Sequence, residues 1–97
     1  MKPVRMISIA EQEMLEAAAY YERQAQGLGL NFYDQVEKAT IEISCGPETW
    51  PVVFKTTRKH VIDRFPFFLL YRDDPEEIVI QAVMHTSRNP TRWQKRV

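Results

Sequence analysis

The stretch AAAYYERQAQGLGLNFYDQVEKA, residues 17–39, changes its hydrophobic phase once, at Gly27, and keeps a helical period on both sides. Upstream, from Glu11 to about Ala25, the chain contains strong helix formers and no proline; Met14, Leu15, Ala18, Tyr21 and Ala25 fall on one stripe at helical spacing. Gly27 closes this helix, because glycine takes the left-handed position after a helix without a Cβ penalty. Downstream, Phe32, Val36, Ala39 and Ile43 recur at steps of four, three and four residues, predicting a second helix from about Leu28 to Cys45. A link this short leaves only a helical hairpin. Ser8 stands three residues before Glu11, the spacing of a capping box that starts the first helix. Gly46 and Pro47 end the second.

Outside the hairpin the period changes to two. Ahead of it, PVRMISI at residues 3–9 reads as a strand, with Val4 and Met6 on one side. Behind it, after a turn-like GPETWP, the segments VVFKTT, HVIDRF, FFLLYR and EIVIQAVM are rich in β-branched and aromatic residues and are separated by Pro66 and by DDPEE. They predict a small antiparallel meander. FFLLYR is apolar throughout, as a central strand covered on both faces would be. EIVIQAVM alternates, which places Ile78, Ile80, Ala82 and Met84 on one face and Val79, Gln81 and Val83 on the other, with His85 continuing the second set. Residues 1–97 therefore read as a single α+β domain: an N-terminal strand, a helical hairpin packed on one face of a curved antiparallel sheet of three or four further strands, and a short C-terminal turn or helix near Arg92–Arg96.

Ninety-seven residues allow one core, and 44% hydrophobic with 27% charged residues is the composition of an ordinary globular chain. No apolar run approaches the length of a membrane helix and no leader pattern opens the chain, so a cytoplasmic location is expected. The single cysteine, Cys45, excludes an internal disulfide and reads as a packed or half-buried thiol at a helix end. Net charge is zero but unevenly laid out. Residues 1–54 carry four basic and eight acidic side chains, and residues 55–97 carry nine basic and five acidic. Gripping a long phosphate backbone usually takes a strong positive excess, so it is not expected as the sole task.

Chemistry, if present, lies among Arg58, Arg64, His85, Arg88 and Arg92, polar residues within or just after the strands. In a meander, Arg64 and His85, each at a strand end, come near one another. An imidazole moves protons near neutral pH and a guanidinium holds phosphate oxygens bidentately, so a histidine among arginines suits acid/base work on a phosphate. The competing interpretation is structural: a strand-end histidine that only hydrogen-bonds, and edge arginines that deter sheet-to-sheet pairing. Trp93 reads as an anchor for the C-terminal tail and Trp50 as a cap on the sheet end. Tyr20, Tyr21 and Phe32 read as packing within the hairpin. With only His60 and His85 as histidines and no ligand spacing, no metal site is expected, and no phosphate loop or other cofactor motif is present.

The GLG between two helices, the FP before an apolar strand ending in Tyr71, and the terminal H-x-x-R-x-P-x-x-W-x-x-R formed by His85, Arg88, Pro90, Trp93 and Arg96 resemble the RelE/ParE toxin superfamily of bacterial type II toxin–antitoxin, or plasmid stabilisation, modules. The resemblance covers nearly the whole chain. It implies a growth-inhibiting toxin neutralised by a cognate antitoxin that wraps it with an otherwise disordered segment. Two activities divide the superfamily. ParE-like members bind DNA gyrase and are not enzymes; RelE-like members are endoribonucleases that cut mRNA on the ribosome. Zero net charge, few nearby lysines and the terminal motif favour the ParE-like branch, in which Arg58, Arg88, Arg92 and Arg96 would contact target or phosphate. In the RelE-like alternative Arg64 and His85 would be catalytic. A non-toxic binding domain of the same fold is the third possibility.

Overall fold

The computed structural model describes residues 2–97. The elements run β1 (Val4–Met6), α1 (Ser8–Gln24), α2 (Leu28–Cys45), a 3-10 turn (Pro47–Thr49), β2 (Val52–Phe54), β3 (Thr57–Val61), β4 (Phe67–Asp73), β5 (Ile78–His85) and α3 (Thr91–Gln94). One sheet holds all the strands in the order β1-β5-β4-β3-β2. β2 to β5 form the expected meander, while β1 lies parallel to β5, pairing Val4 with Ile78 and Met6 with Ile80. The sheet is therefore mixed. A parallel partner needs a long crossover, and the hairpin with the meander supplies it.

The two helices lie on one face of the sheet. On α2 the four predicted residues, Phe32, Val36, Ala39 and Ile43, are all buried. On α1 the buried stripe is Ala10, Met14 and Ala17, with Ala18 and Tyr21 at its margin; Leu15 is 55% exposed and Ala25 is exposed. The stripe is rotated: alanines hold two of its three buried positions, and the larger Leu15 is left outside. Nor does the capping box form. Ser8 is the first helical residue, Ile7 is the N-cap, and no side chain caps the helix. Ile7 is held instead by its N–H donating to the Ile80 carbonyl at 3.1 Å, so β1 passes into α1 without a spare residue.

Between the helices, Gly27 has a left-handed φ of +85°, but as the N-cap of α2: α1 already ends at Gln24 with an extended Ala25 as its C-cap. Glu22 supplies what the sequence did not reveal: its carboxylate accepts the Gly27 N–H at 2.9 Å and the Gly29 N–H at 3.0 Å, satisfying two donors at the start of α2. Gly29 is constrained by space. A Cβ there would stand 2.5 Å from the Ala18 carbonyl oxygen. Gly29→Ala must push the helices apart, and we expect a loss of about 2 kcal/mol in a urea titration, within the usual cost of overpacking a fitted contact.

Beyond the helices, two strand boundaries differ from expectation. VVFKTT is not one strand: the chain turns at Lys55 and Thr56, with Lys55 at φ +52°, and Thr57 opens β3. The alternation of β5 also breaks. Leu70 pairs with Ala82 but Tyr71 pairs with Ile80, so Gln81 is an extra residue in a β-bulge. Ile78, Ile80 and Val83 consequently join the core under the helices, while Ala82 and Met84 join a second cluster on the opposite face. That second cluster also contains Phe68, Leu70 and Trp93, edged by Phe54 and Val97. β4 is thus covered on both faces, as its sequence implied, and α3 with Trp93 is part of the cover. The bulged Gln81 is buried and accepts the Thr57 hydroxyl at 2.9 Å.

Candidate functional site

A concavity of about 800 Å³ lies between α1 and the end of β5 with the tail that follows. Its α1 wall presents Glu13, Glu16, Ala17 and Tyr20; its opposite wall presents His85, Arg88 and Arg92. His85 sits at the last position of β5 with its ring edge-on to Phe67, centroids 5.2 Å apart. Nδ1 accepts the Ser87 N–H at 3.0 Å and lies 2.8 Å from the Ser87 hydroxyl, which places the proton of the neutral ring on Nε2. Arg88 and Arg92 are exposed and have no side-chain partner among the described residues. They keep their full charge available to a ligand.

The other predicted site residues are elsewhere. Arg64 lies in the β3–β4 turn at φ +70°, exposed and outside the cleft wall. Its neighbour Asp63 accepts from Lys38 at 2.9 Å; that hydrogen bond, helped by the charges of Lys38, His60 and Arg64, holds the Asp63 carboxyl below its ordinary range. Arg58 faces the helix side and donates to the Trp50 carbonyl at 2.6 Å and to that of Glu48 at 3.4 Å. Beside it the Tyr71 hydroxyl donates to the Pro47 carbonyl, and burial pushes the Tyr71 phenol up to about 12. Arg58 and Tyr71 together tie the 3-10 turn to the sheet. Arg96 forms a two-pronged ion pair with Glu13 at 2.9 and 3.0 Å and donates to the Gln81 carbonyl at 3.1 Å.

Of the candidates, then, the fold gathers His85, Arg88 and Arg92 and disperses Arg58, Arg64 and Arg96. Chain order could not reveal this. Arg64 follows a strand in sequence, but β3 ends at Val61 and Arg64 falls in the exposed turn before β4. The reading of Cys45 is not met, while that of Trp50 gains a partner. Cys45, at the end of α2, is exposed rather than packed. Trp50 stacks on His60 with centroids 4.1 Å apart, and His60 Nε2 lies 3.0 Å from Glu42 Oε1, so the cap on the sheet end is a tryptophan–histidine stack held by α2. Among hairpin aromatics, Tyr21 and Phe32 pack as expected at 5.4 Å, while Tyr20 is 51% exposed at the cleft. No group of three or more His, Cys, Asp or Glu suited to a metal occurs among the described residues. No helix among them is long and apolar enough to cross a membrane.

Comparison with known proteins gives a fold and no sequence relative. No protein-family model matches the chain, and no curated protein matches it significantly. Among solved structures, a chain from the chromosomal ParDE TA system of P. aeruginosa superposes with a TM-score of 0.75 at 16% identity, over 88% of this chain and 96% of that one. This chain therefore shares the fold of that ParDE-system chain.

Proposed function

We propose that this chain is the toxin of a bacterial type II toxin–antitoxin module, ParE-like in action: it arrests growth by binding a protein target such as DNA gyrase and is neutralised by a cognate antitoxin. The shared fold with a chain of a ParDE system supports the toxin–antitoxin kind. One observation carries the choice of a binding rather than a cleaving toxin: the side chains a nuclease would need do not converge. Phosphoryl-transfer catalysis requires an acid/base and charge-stabilising donors aimed at one phosphate. Here Arg58 is engaged by main-chain carbonyls, Arg64 lies beside the Lys38–Asp63 pair, and His85 stands in the cleft without either. Arg88 and Arg92, uncommitted at the cleft rim, are the residues assigned to target contact. Arg96 belongs to the scaffold that holds them.

Inducing the chain alone in a bacterial host, with plasmid supercoiling, trapped gyrase–DNA cleavage complexes and mRNA integrity followed together, tests this. The expected result is growth arrest with altered DNA topology and intact mRNA, retained in Arg64→Ala and His85→Ala and lost in Arg88→Glu/Arg92→Glu. Ribosome-dependent mRNA cleavage that disappears in Arg64→Ala and His85→Ala would replace this reading with the RelE-like one. Normal growth at full expression would leave a binding domain.

A further inference from the structure

Gln81 is a residue that the packing of β5 does not need. Ile80 pairs with Tyr71 and Ala82 with Leu70, so neighbouring residues of β4 face the residues on either side of Gln81. Without Gln81, Ile80 would join Ala82 in a regular ladder. Ile80, Val83 and His85 would still lie on the helix side, and Ala82 and Met84 on the other. An extra residue interrupts the ladder, and such bulges recur where they aim a group. Gln81 aims two. Its side-chain Oε1 accepts the Thr57 hydroxyl at 2.9 Å, reaching across β4 to β3, and both residues are buried. Its main-chain carbonyl accepts Arg96 Nη1 at 3.1 Å, while Arg96 also holds Glu13 of α1 at 2.9 and 3.0 Å.

We propose that Gln81 is a positioning residue for the rim formed by Arg88 and Arg92, and that Thr57 fixes its orientation; this rests on the reading in which those two arginines contact the target. The rim, residues 86–92, runs between two attachments. At the near end the Thr86 N–H donates to the Pro66 carbonyl at 2.8 Å and the Arg88 N–H to the His85 carbonyl at 3.1 Å. At the far end Trp93 sits in the second cluster, and the Arg96 guanidinium is gripped by Glu13 on one side and the Gln81 carbonyl on the other. The apolar seat of Trp93 is non-directional, whereas the bonds of Arg96 have a fixed direction and set how α3 lies. With four residues, α3 is too short to hold Arg92 in place by itself. Two cations on an ordered segment bind anionic groups with less ordering cost than two on a loose one. If Thr57 loses its hydroxyl, the buried Gln81 amide is left without its donor and must turn to find another, which carries the bulged peptide away from Arg96. Neither Thr57 nor Gln81 lines the cleft, so their influence on the target runs through Arg96 and the tail.

The test compares Thr57→Val, Thr57→Ser and a chain lacking Gln81 with the parent in two measurements. One is NMR of the Arg96 guanidinium, whose Nη protons give separate signals while it is held, together with hydrogen exchange at the Arg88 and Arg92 amides. The other is the concentration of purified chain that half-inhibits DNA supercoiling by gyrase. Thr57→Val should erase the Arg96 signals, speed exchange at the rim and raise that concentration about tenfold. Thr57→Ser, which restores the hydroxyl, should stay near the parent in both. The chain lacking Gln81 should keep the far-UV spectrum and the His85–Phe67 nuclear Overhauser contact of the parent, yet behave as Thr57→Val at Arg96 and against gyrase. An unchanged Arg96 in Thr57→Val, a loosened Arg96 with unchanged inhibition, or Thr57→Ser behaving as Thr57→Val would each overturn the proposal. So would a chain lacking Gln81 that fails to fold, because packing would then require the bulge. If the parent leaves gyrase untouched, the target reading falls, and the order of Arg96 and the rim in Thr57→Val still decides whether Gln81 positions them.

Discussion

Phe32→Ala is expected to cost about 4 kcal/mol of unfolding free energy, enough to leave much of the chain unfolded at physiological temperature. Phe32 is fully buried and packs against three aromatic rings: Tyr21 at 5.4 Å, Phe65 at 5.2 Å and Phe67 at 4.9 Å between centroids. Those partners come from α1, the β3–β4 turn and β4, so truncation opens a cavity where helix, turn and sheet meet. None of them can move in without losing other contacts. A domain of this size has roughly 5–15 kcal/mol in all, so the loss is a large fraction of the total. Urea unfolding followed by far-UV circular dichroism checks it: the midpoint should fall steeply with an unchanged slope. A loss below about 1 kcal/mol would mean that the aromatic cluster relaxes freely, contrary to its interlocked geometry.

Trp93→Ala carries the second large effect, about 3 kcal/mol, at the low end for truncating a buried aromatic because the tail can undock by itself. Trp93 is 6% exposed and covers Phe68, Leu70, Ala82 and Met84, with Phe54 edge-on at 6.0 Å. Its removal exposes the far side of β4 and β5 and frees Arg96, three residues on, from Glu13. Hydrogen exchange should accelerate first at the Arg96 and Val97 amides, which bond to the Trp93 carbonyl, and then at Val83. Trp93→Phe should recover most of the loss and leave Trp50 as the sole fluorescent reporter. If Val83 stays as protected in Trp93→Ala as in the parent chain, the tail does not hold the Glu13–Arg96 pair in place.

These two positions also mark how far the sequence could be read. Phe32 was legible because a helix repeats locally: its face follows from residues three and four apart, whatever lies opposite. The four buried positions of α2 came out correctly for that reason. The stripe on α1 came out rotated, because which side of an alanine-rich helix is buried depends on how closely the sheet approaches it, and that distance is not local. In the candidate site, His85, Arg88 and Arg92 were found together because they are neighbours in sequence as well as in space. Arg58 and Arg64 were grouped with them as arginines within or just after strands and Arg96 through the terminal motif, and neither placement says whether a guanidinium faces solvent, a carbonyl or a carboxylate.

By itself the sequence determined the helical hairpin, the meander behind it, a central strand apolar on both faces and a tail anchored by Trp93. Each rests on periodicity or on turn chemistry within a few residues. Tertiary structure alone decided the parallel docking of β1, the bulge at Gln81 that moves Val83 to the helix side and Ala82 to the other, and the Glu13–Arg96 pair on the open edge of β5. Their cause is register. Pairing between strands 70 or more residues apart is set by how whole faces fit, and one inserted residue reverses every side chain beyond it.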